Sequence, residues 1–138
     1  MIEVMIKRDS KALFQLASES YGESPWTKQQ IEESFDVKWL TTYGYKIHQQ
    51  WVGFVQIQCI GDEAEVLNIG VHPDYRHQGI AKALLEAVLP KASSWLLEVR
   101  ASNHAAQSLY KTLGFKKIAI RKGYYHYPRE DAWIMQRK

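Results

Sequence analysis

Apolar positions recur with two different periods along this chain, and the places where the period changes mark out its elements. Leu13, Leu16 and Ala17 fall on one face of a helix predicted over 10–21, after a first strand over 3–8. Thr27 and Gln30 have the spacing of a capping box, and Ile31 and Phe35 share a face of the short helix it opens. The segments 40–47, 51–60 and 63–71 are rich in β-branched and aromatic residues, and the runs 48–50 and 61–62 between them suit tight reversals. Helical spacing returns after Gly79. There Ile80, Leu84 and Val88, with Ala81, Leu85 and Leu89, form a broad apolar stripe as far as Pro90, which lacks a backbone donor and ends or kinks the helix. A strand over 95–100, a helix capped by Asn103 and stopped by Gly114, and two closing strands over 115–122 and 132–136 complete the series.

An antiparallel meander followed by a strand, helix, strand crossover over 63–100 implies an α+β fold. The expected architecture is a mixed, mostly antiparallel sheet of six to seven strands flanked by about four helices. No repeat, low-complexity tract or Pro/Gly-rich linker divides the chain, so residues 1–138 are expected to form a single domain. With 46% hydrophobic residues, one core forms without metals or disulfides. Cys59 is the only cysteine, which excludes an internal disulfide and fits a reducing compartment. The first residues lack the order of a signal peptide, and no apolar run approaches the roughly 20 residues that span a bilayer. The expected location is cytoplasmic, with no membrane partner.

Charge is unevenly distributed. Residues 100–138 hold nine Lys/Arg against two Asp/Glu, a balance of +7, and residues 1–99 hold nine against thirteen, a balance of −4. A basic C-terminal third suits an anionic partner, whether coenzyme phosphates or RNA, and a solvated surface without a partner has the same composition.

The run from Val71 to Lys82 carries the most chemical information. Arg76, His77, Gln78, Gly79, Ile80, Ala81 and Lys82 lie between a strand end and a helix start. Amides there lack intrahelical acceptors, the helix dipole is positive, and small residues let a diphosphate approach the main chain, with Arg76 and Lys82 adding charge. The Gly-Lys-Ser/Thr ending of a Walker loop is missing, as are the three glycines of a dinucleotide fingerprint. A plain helix start with a packing glycine reads the same way.

This turn resembles the Arg/Gln-x-x-Gly-x-Gly/Ala signature of the GNAT acetyltransferase superfamily. The later stretch 95–115, together with 121–125 and 129–135, looks like the RimI group within it, a resemblance that covers essentially the whole chain. It implies the GNAT fold, acetyl-CoA as co-substrate with no metal, and transfer of the acetyl group to an N-terminal alanine of a small-subunit ribosomal protein. It further implies that the main chain at Ile69 and Val71 holds the pantetheine arm and residues 76–82 the pyrophosphate. Glu98 is then the general base, Asn103 a coenzyme contact, and Tyr110 the acid facing the departing sulfur and a further coenzyme contact. Trp26, Tyr124 and Tyr125 would flank the acceptor peptide, the two tyrosines in a hairpin loop shared with Tyr127. Departures are few: Ala81 stands where Gly is common, Gly70 where Ala is common, and Pro90 shortens the main helix.

The chemistry of these residues supports the same roles. Removing a proton from an α-amine of pKa near 8 costs about 1 kcal/mol at neutral pH, against roughly 4 to 5 kcal/mol for lysine, so a single carboxylate such as Glu98 suits an N-terminal amine. Tyr110 would donate to a thiolate of pKa near 8.5 uphill by roughly 2 kcal/mol, which favours a hydrogen bond that strengthens as sulfur gains charge. Structural readings stand beside these: Glu98 paired with Arg100 on one strand face, and Tyr110 in the core with Ala106 and Leu113. A lysine, polyamine or other small amine is the alternative acceptor within the fold. An RNA-binding module, built on Lys116, Lys117, Arg121, Lys122 and the nearby tyrosines, is the alternative from another class, and direct nucleic-acid binding is not expected. The five histidines show no metal-ligand pattern, and Cys59 reads as a packed side chain.

Overall fold

The computed structural model describes residues 1–22, 24–126 and 128–138. Seven strands form one sheet in the order β1-β2-β3-β4-β5-β7-β6. They are β1 (Ile2–Val4), β2 (Leu40–Ile47), β3 (Gln50–Ile60), β4 (Glu63–Val71), β5 (Ser94–Arg100), β6 (Lys116–His126) and β7 (Arg129–Arg137). Among the described residues four α-helices accompany them: α1 (Ser10–Tyr21), α2 (Lys28–Ser34), α3 (Ile80–Val88) and α4 (His104–Thr112). Only β4 and β5 run parallel, joined through α3, and every other pairing is antiparallel.

The capping box forms as expected, with Thr27 Oγ1 accepting from the Gln30 amide at 3.1 Å and Gln30 Oε1 from the Thr27 amide at 2.8 Å. His48 and Gln49 take positive φ in the two-residue β2–β3 turn, and Gly114 at φ +94 follows the end of α4. Pro90 lies in a single 3-10 turn (Leu89–Lys91) directly after α3.

Two expectations need correction. The first strand does not reach residue 8: Lys7–Asp9 is a 3-10 turn, because the Asp9 carboxylate accepts from the Ile6 amide at 2.8 Å and draws the chain out of the sheet. The last two strands are longer than expected, so Tyr124 and Tyr125 lie in β6 and not in a loop. A register shift between Arg121 and Tyr125 absorbs Gly123 at φ +62, whose amide donates to Asp131 at 2.9 Å, and pairing then resumes. Tyr127 lies outside the described residues.

The two faces of the sheet carry separate cores. Leu84, Leu85 and Val88 of α3, with Tyr110 of α4, pack on one face against Val55, Val66, Leu97 and Met135. On the other, Leu13, Leu16 and Ala17 of α1 and Ile31 of α2 cover Met5 and Phe54. Full burial of each such Leu stabilises the fold by about 1.5–3 kcal/mol. Gly53 brings α3 down onto β3, since a Cβ there would lie 2.9 Å from Ile80 Cγ2. That approach sets the start of α3 beside the end of β4.

Candidate active site

β4 and β5 part company halfway along. Pairing joins Glu63–Val66 to Ser94–Leu97 and stops, while β4 continues along β3 to Val71 and β5 along β7 to Arg100. Leu67 is an extra residue in β4, because Val66 pairs with Ile57 and Asn68 with Gln56, and such a bulge turns the strand away from its neighbour. The result is a gap in the sheet. The His72 amide donates to Val52 at 2.8 Å, so by alternation the main-chain groups of Ile69 and Val71 point into that gap. Both carbonyls already have partners: Tyr21 Oη donates to Ile69 O at 2.6 Å, and Arg76 Nε to Val71 O at 3.2 Å.

The turn after β4 ends in two left-handed residues, His77 at φ 62 and Gly79 at φ +78. A Cβ on Gly79 would touch nothing, so glycine is favoured there by conformation and not by space. The first intrahelical bond of α3 runs from the Ala83 amide to Gly79 O at 2.9 Å, which leaves the amides of Ile80, Ala81 and Lys82 without an intrahelical acceptor. His77, Gln78 and Lys82 are exposed and Ala81 is half-buried, whereas the Ile80 side chain is buried in the core and offers only its main chain. This arrangement fits a diphosphate at a helix N-terminus. Arg76 Nη2 donates to Ser20 O at 2.5 Å, so with its Val71 bond it braces the turn against α1 and β4 while its charge stays beside the helix start.

Side chains alternate strictly along β5. Trp95, Leu97 and Val99 enter the core under α3 and α4, and Leu96, Glu98 and Arg100 line the opposite face. Tyr110 packs on the α4 side and meets Phe115 edge-on at 5.9 Å. Glu98 and Tyr110 therefore belong to opposite faces of the sheet at the gap. Burial, with the nearby Tyr21 and Tyr125 phenols, holds Tyr110 well above the usual phenol range, so it stays protonated as a donor. The expected structural partner of Glu98 was Arg100, but Arg121 Nη1 lies 3.5 Å from Glu98 Oε1, and Arg100 Nη1 reaches Glu130 at 3.2 Å. Cross-strand reach from β6 and β7 wins over the neighbour two residues along.

Tyr124 stands over Glu98. Hydrogen bonding to that carboxylate and its charge raise the Tyr124 phenol above the ordinary range. Tyr125 meets the Tyr124 ring edge-on at 5.1 Å and carries the Arg100 guanidinium over its face at 4.1 Å. Trp26 lies beside a cavity of about 60 Å³ lined also by Ile31, Phe54, Gln56 and Asn68. Asn103 caps α4 through Oδ1, which accepts from the Ala106 amide at 3.1 Å and leaves the amide nitrogen as its donor.

Three contributors were not assigned to the site from the sequence. Gln107 is buried and donates to the carbonyls of Arg100 at 3.0 Å and Ala101 at 2.9 Å, fixing the end of β5 to α4. Its spacing of three from Tyr110 on one helix face was the available clue. For Tyr21 and Arg121 no local pattern pointed to their partners, because Ile69 and Glu98 are distant in sequence. Among the described residues no three His, Cys, Asp or Glu side chains gather as metal ligands, and no helix is long and apolar enough to cross a membrane.

A bulged strand splayed from a parallel neighbour, a phosphate-type turn at its end and a carboxylate opposite a phenol across the opening suit acyl transfer from a long-armed thioester. The sequence pattern of the acetyltransferase (GNAT) family matches residues 10–115, and the chain belongs to that family. It is an acetyl-CoA-dependent N-acetyltransferase. The chain is 36% identical to the [ribosomal protein bS18]-alanine N-acetyltransferase of Haemophilus ducreyi over 98% of its own length and 97% of the relative's. Identity to the enzyme of the same name from Escherichia coli strain K12 is 39%, over 80% and 79% of the two chains. The crystal structure of the ribosomal-protein-S18-alanine N-acetyltransferase from Escherichia coli superposes with a TM-score of 0.91 at 32% identity, covering 99% of this chain and 92% of that one.

Proposed function

We propose that this enzyme acetylates the N-terminal α-amine of a protein, and that its acceptor is the N-terminal alanine of ribosomal protein bS18, the substrate in the names of its relatives. The observation that carries the mechanism is the placement of Glu98 and Tyr110 on opposite faces of the β4–β5 gap. The pyrophosphate of acetyl-CoA rests on the amides of residues 77–82, with Gln78 and Lys82 at its rim, and Asn103 contributes its amide nitrogen. The arm extends along the open edge of Ile69 and Val71 and brings the thioester into the gap.

The acceptor amine approaches between Trp26 and the Tyr124–Tyr125 pair, on the face that holds Glu98. Glu98 takes one proton from the ammonium and passes it on to solvent, a net cost of about 1 kcal/mol for an α-amine at neutral pH. The nitrogen lone pair attacks the thioester carbon, forming the C–N bond. As the C–S bond breaks, its electron pair goes to sulfur, which accepts a hydrogen bond from Tyr110 on the far face. The second nitrogen proton passes to sulfur, directly or through solvent, giving amide and free thiol. The test is incubation with acetyl-CoA and a peptide copying the bS18 N-terminus, read by fragment mass spectrometry. The acetyl group is expected on the first residue. Acetylation only of lysine side chains or of small amines overturns the assignment.

A further inference from the structure

Three successive residues in the last turn of α1 grip the end of β4 and the turn beyond it, and none of them has a role in the chemistry above. The Glu19 carboxylate meets His72 Nε2, the Ser20 carbonyl accepts from Arg76 Nη2 at 2.5 Å, and Tyr21 Oη donates to the Ile69 carbonyl at 2.6 Å. The fit at this junction is close. A Cβ on Gly70 would lie 2.8 Å from Phe54 Cε1 and 3.1 Å from Ser20 Cβ, which accounts for glycine at this position. Ser20 Oγ is buried there without a hydrogen-bond partner, so its hydroxyl gains nothing from the contact that the main chain makes.

Tyr21 connects the two sides of the site. Its hydroxyl sits on the open edge of β4, and its ring meets Trp26 edge-on at 6.1 Å and Phe54 at 6.5 Å. Loss of surrounding water raises its phenol to about 12, over the opposing effect of Arg76, so the donor persists throughout the neutral range.

We propose that Tyr21 is a positioning residue for acetyl transfer, holding the Ile69 peptide of the coenzyme edge and the Trp26 wall of the acceptor groove in one fixed relation. The assignment rests on the reading of that edge as the coenzyme's. With the Ile69 carbonyl committed to Tyr21 and the Val71 carbonyl to Arg76, the edge offers its N–H groups to the arm, and neither peptide tilts without breaking a bond. A thioester seated there meets the acceptor in a single orientation, and small misplacements of reacting atoms are costly in rate.

Tyr21→Phe keeps the ring contacts and deletes only the hydroxyl, and Tyr21→Leu removes both. The first is expected to lower kcat/KM for acetyl-CoA about fivefold, the size of one hydrogen bond, with the acceptor-peptide KM unchanged. Tyr21→Leu is expected to raise the acceptor KM as well, because Trp26 loses its edge contact. Wild-type constants for both substrates in Tyr21→Phe, whatever its thermal midpoint, would show that the bond serves the fold alone and overturn the proposal. Tighter acetyl-CoA binding by Tyr21→Phe would also overturn it, since Tyr21 would then compete with the coenzyme for Ile69. Calorimetry separates this failure from that of the underlying reading. Absence of heat with wild-type protein removes the coenzyme edge and Tyr21 with it, whereas normal heat with an unaffected Tyr21→Phe removes Tyr21 only.

Discussion

The two strands that border the gap are built on different principles. β4 contributes main chain: a bulge at Leu67, an open edge at Ile69 and Val71, and a left-handed Gly79 before the helix start. β5 contributes side chains, with Glu98 on one face and its register to α4 fixed by Gln107. A grip made of amides depends on backbone conformation and is tolerant of most side-chain changes, while chemistry made of carboxylate and phenol has the opposite sensitivity.

The largest effect that sharpens this contrast is on the β5 side. Glu98→Gln is expected to lower kcat by about 10²–10³-fold, the range for loss of a positioned base, with acetyl-CoA affinity unchanged in calorimetry. On the β4 side, Gly79→Val forces a β-branched residue into φ +78, a strain of roughly 1–2 kcal/mol. Acetyl-CoA affinity should fall about tenfold, with kcat at saturating coenzyme close to wild type. Reversal of these two patterns would break the comparison. Tyr110→Phe comes next, with kcat lower by about fivefold to tenfold for one hydrogen bond to sulfur, measured in stopped assays that follow free thiol.

The smallest effect concerns alkaline pH. The Tyr21 phenol is raised from 10.0 to about 12 in the fold, so the neutral form is favoured by folding. Its contribution to stability is complete below pH 10 and is lost as pH rises through 12. Tyr21→Phe should therefore lose less stability than wild type between those values, as thermal midpoints across that range would show.

The turn was legible in the sequence because its signal is local. A strand, a glycine needing positive φ and the start of an apolar stripe lie within a dozen residues, and each has its own physical cause. Strands β2 to β5 and all four helices could be read for the same reason. Glu98 and Tyr110 were named through the family resemblance, and their opposite placement follows from alternation along β5 and from the face of α4 that meets the core. Their actual partners were not legible. Arg121 reaches Glu98 from β6 across β7, and Tyr21 reaches Ile69 from a helix, contacts that only the assembled sheet creates. The inner end of the β6–β7 hairpin was read as a loop because Gly123 and Pro128 punctuate the sequence, whereas the bulge at Gly123 keeps the strand paired.

Acceptor and coenzyme are expected to meet inside the gap from opposite faces. A conjugate that joins the α-amine of a bS18 N-terminal peptide through an acetyl bridge to the sulfur of coenzyme A measures this directly, by calorimetry against either half alone. The conjugate is expected to bind at least 10²-fold more tightly than acetyl-CoA, because one linked molecule fills both sides of the site. Affinity no better than acetyl-CoA alone, or a greater gain when the bridge is attached to a lysine side chain, would contradict the account.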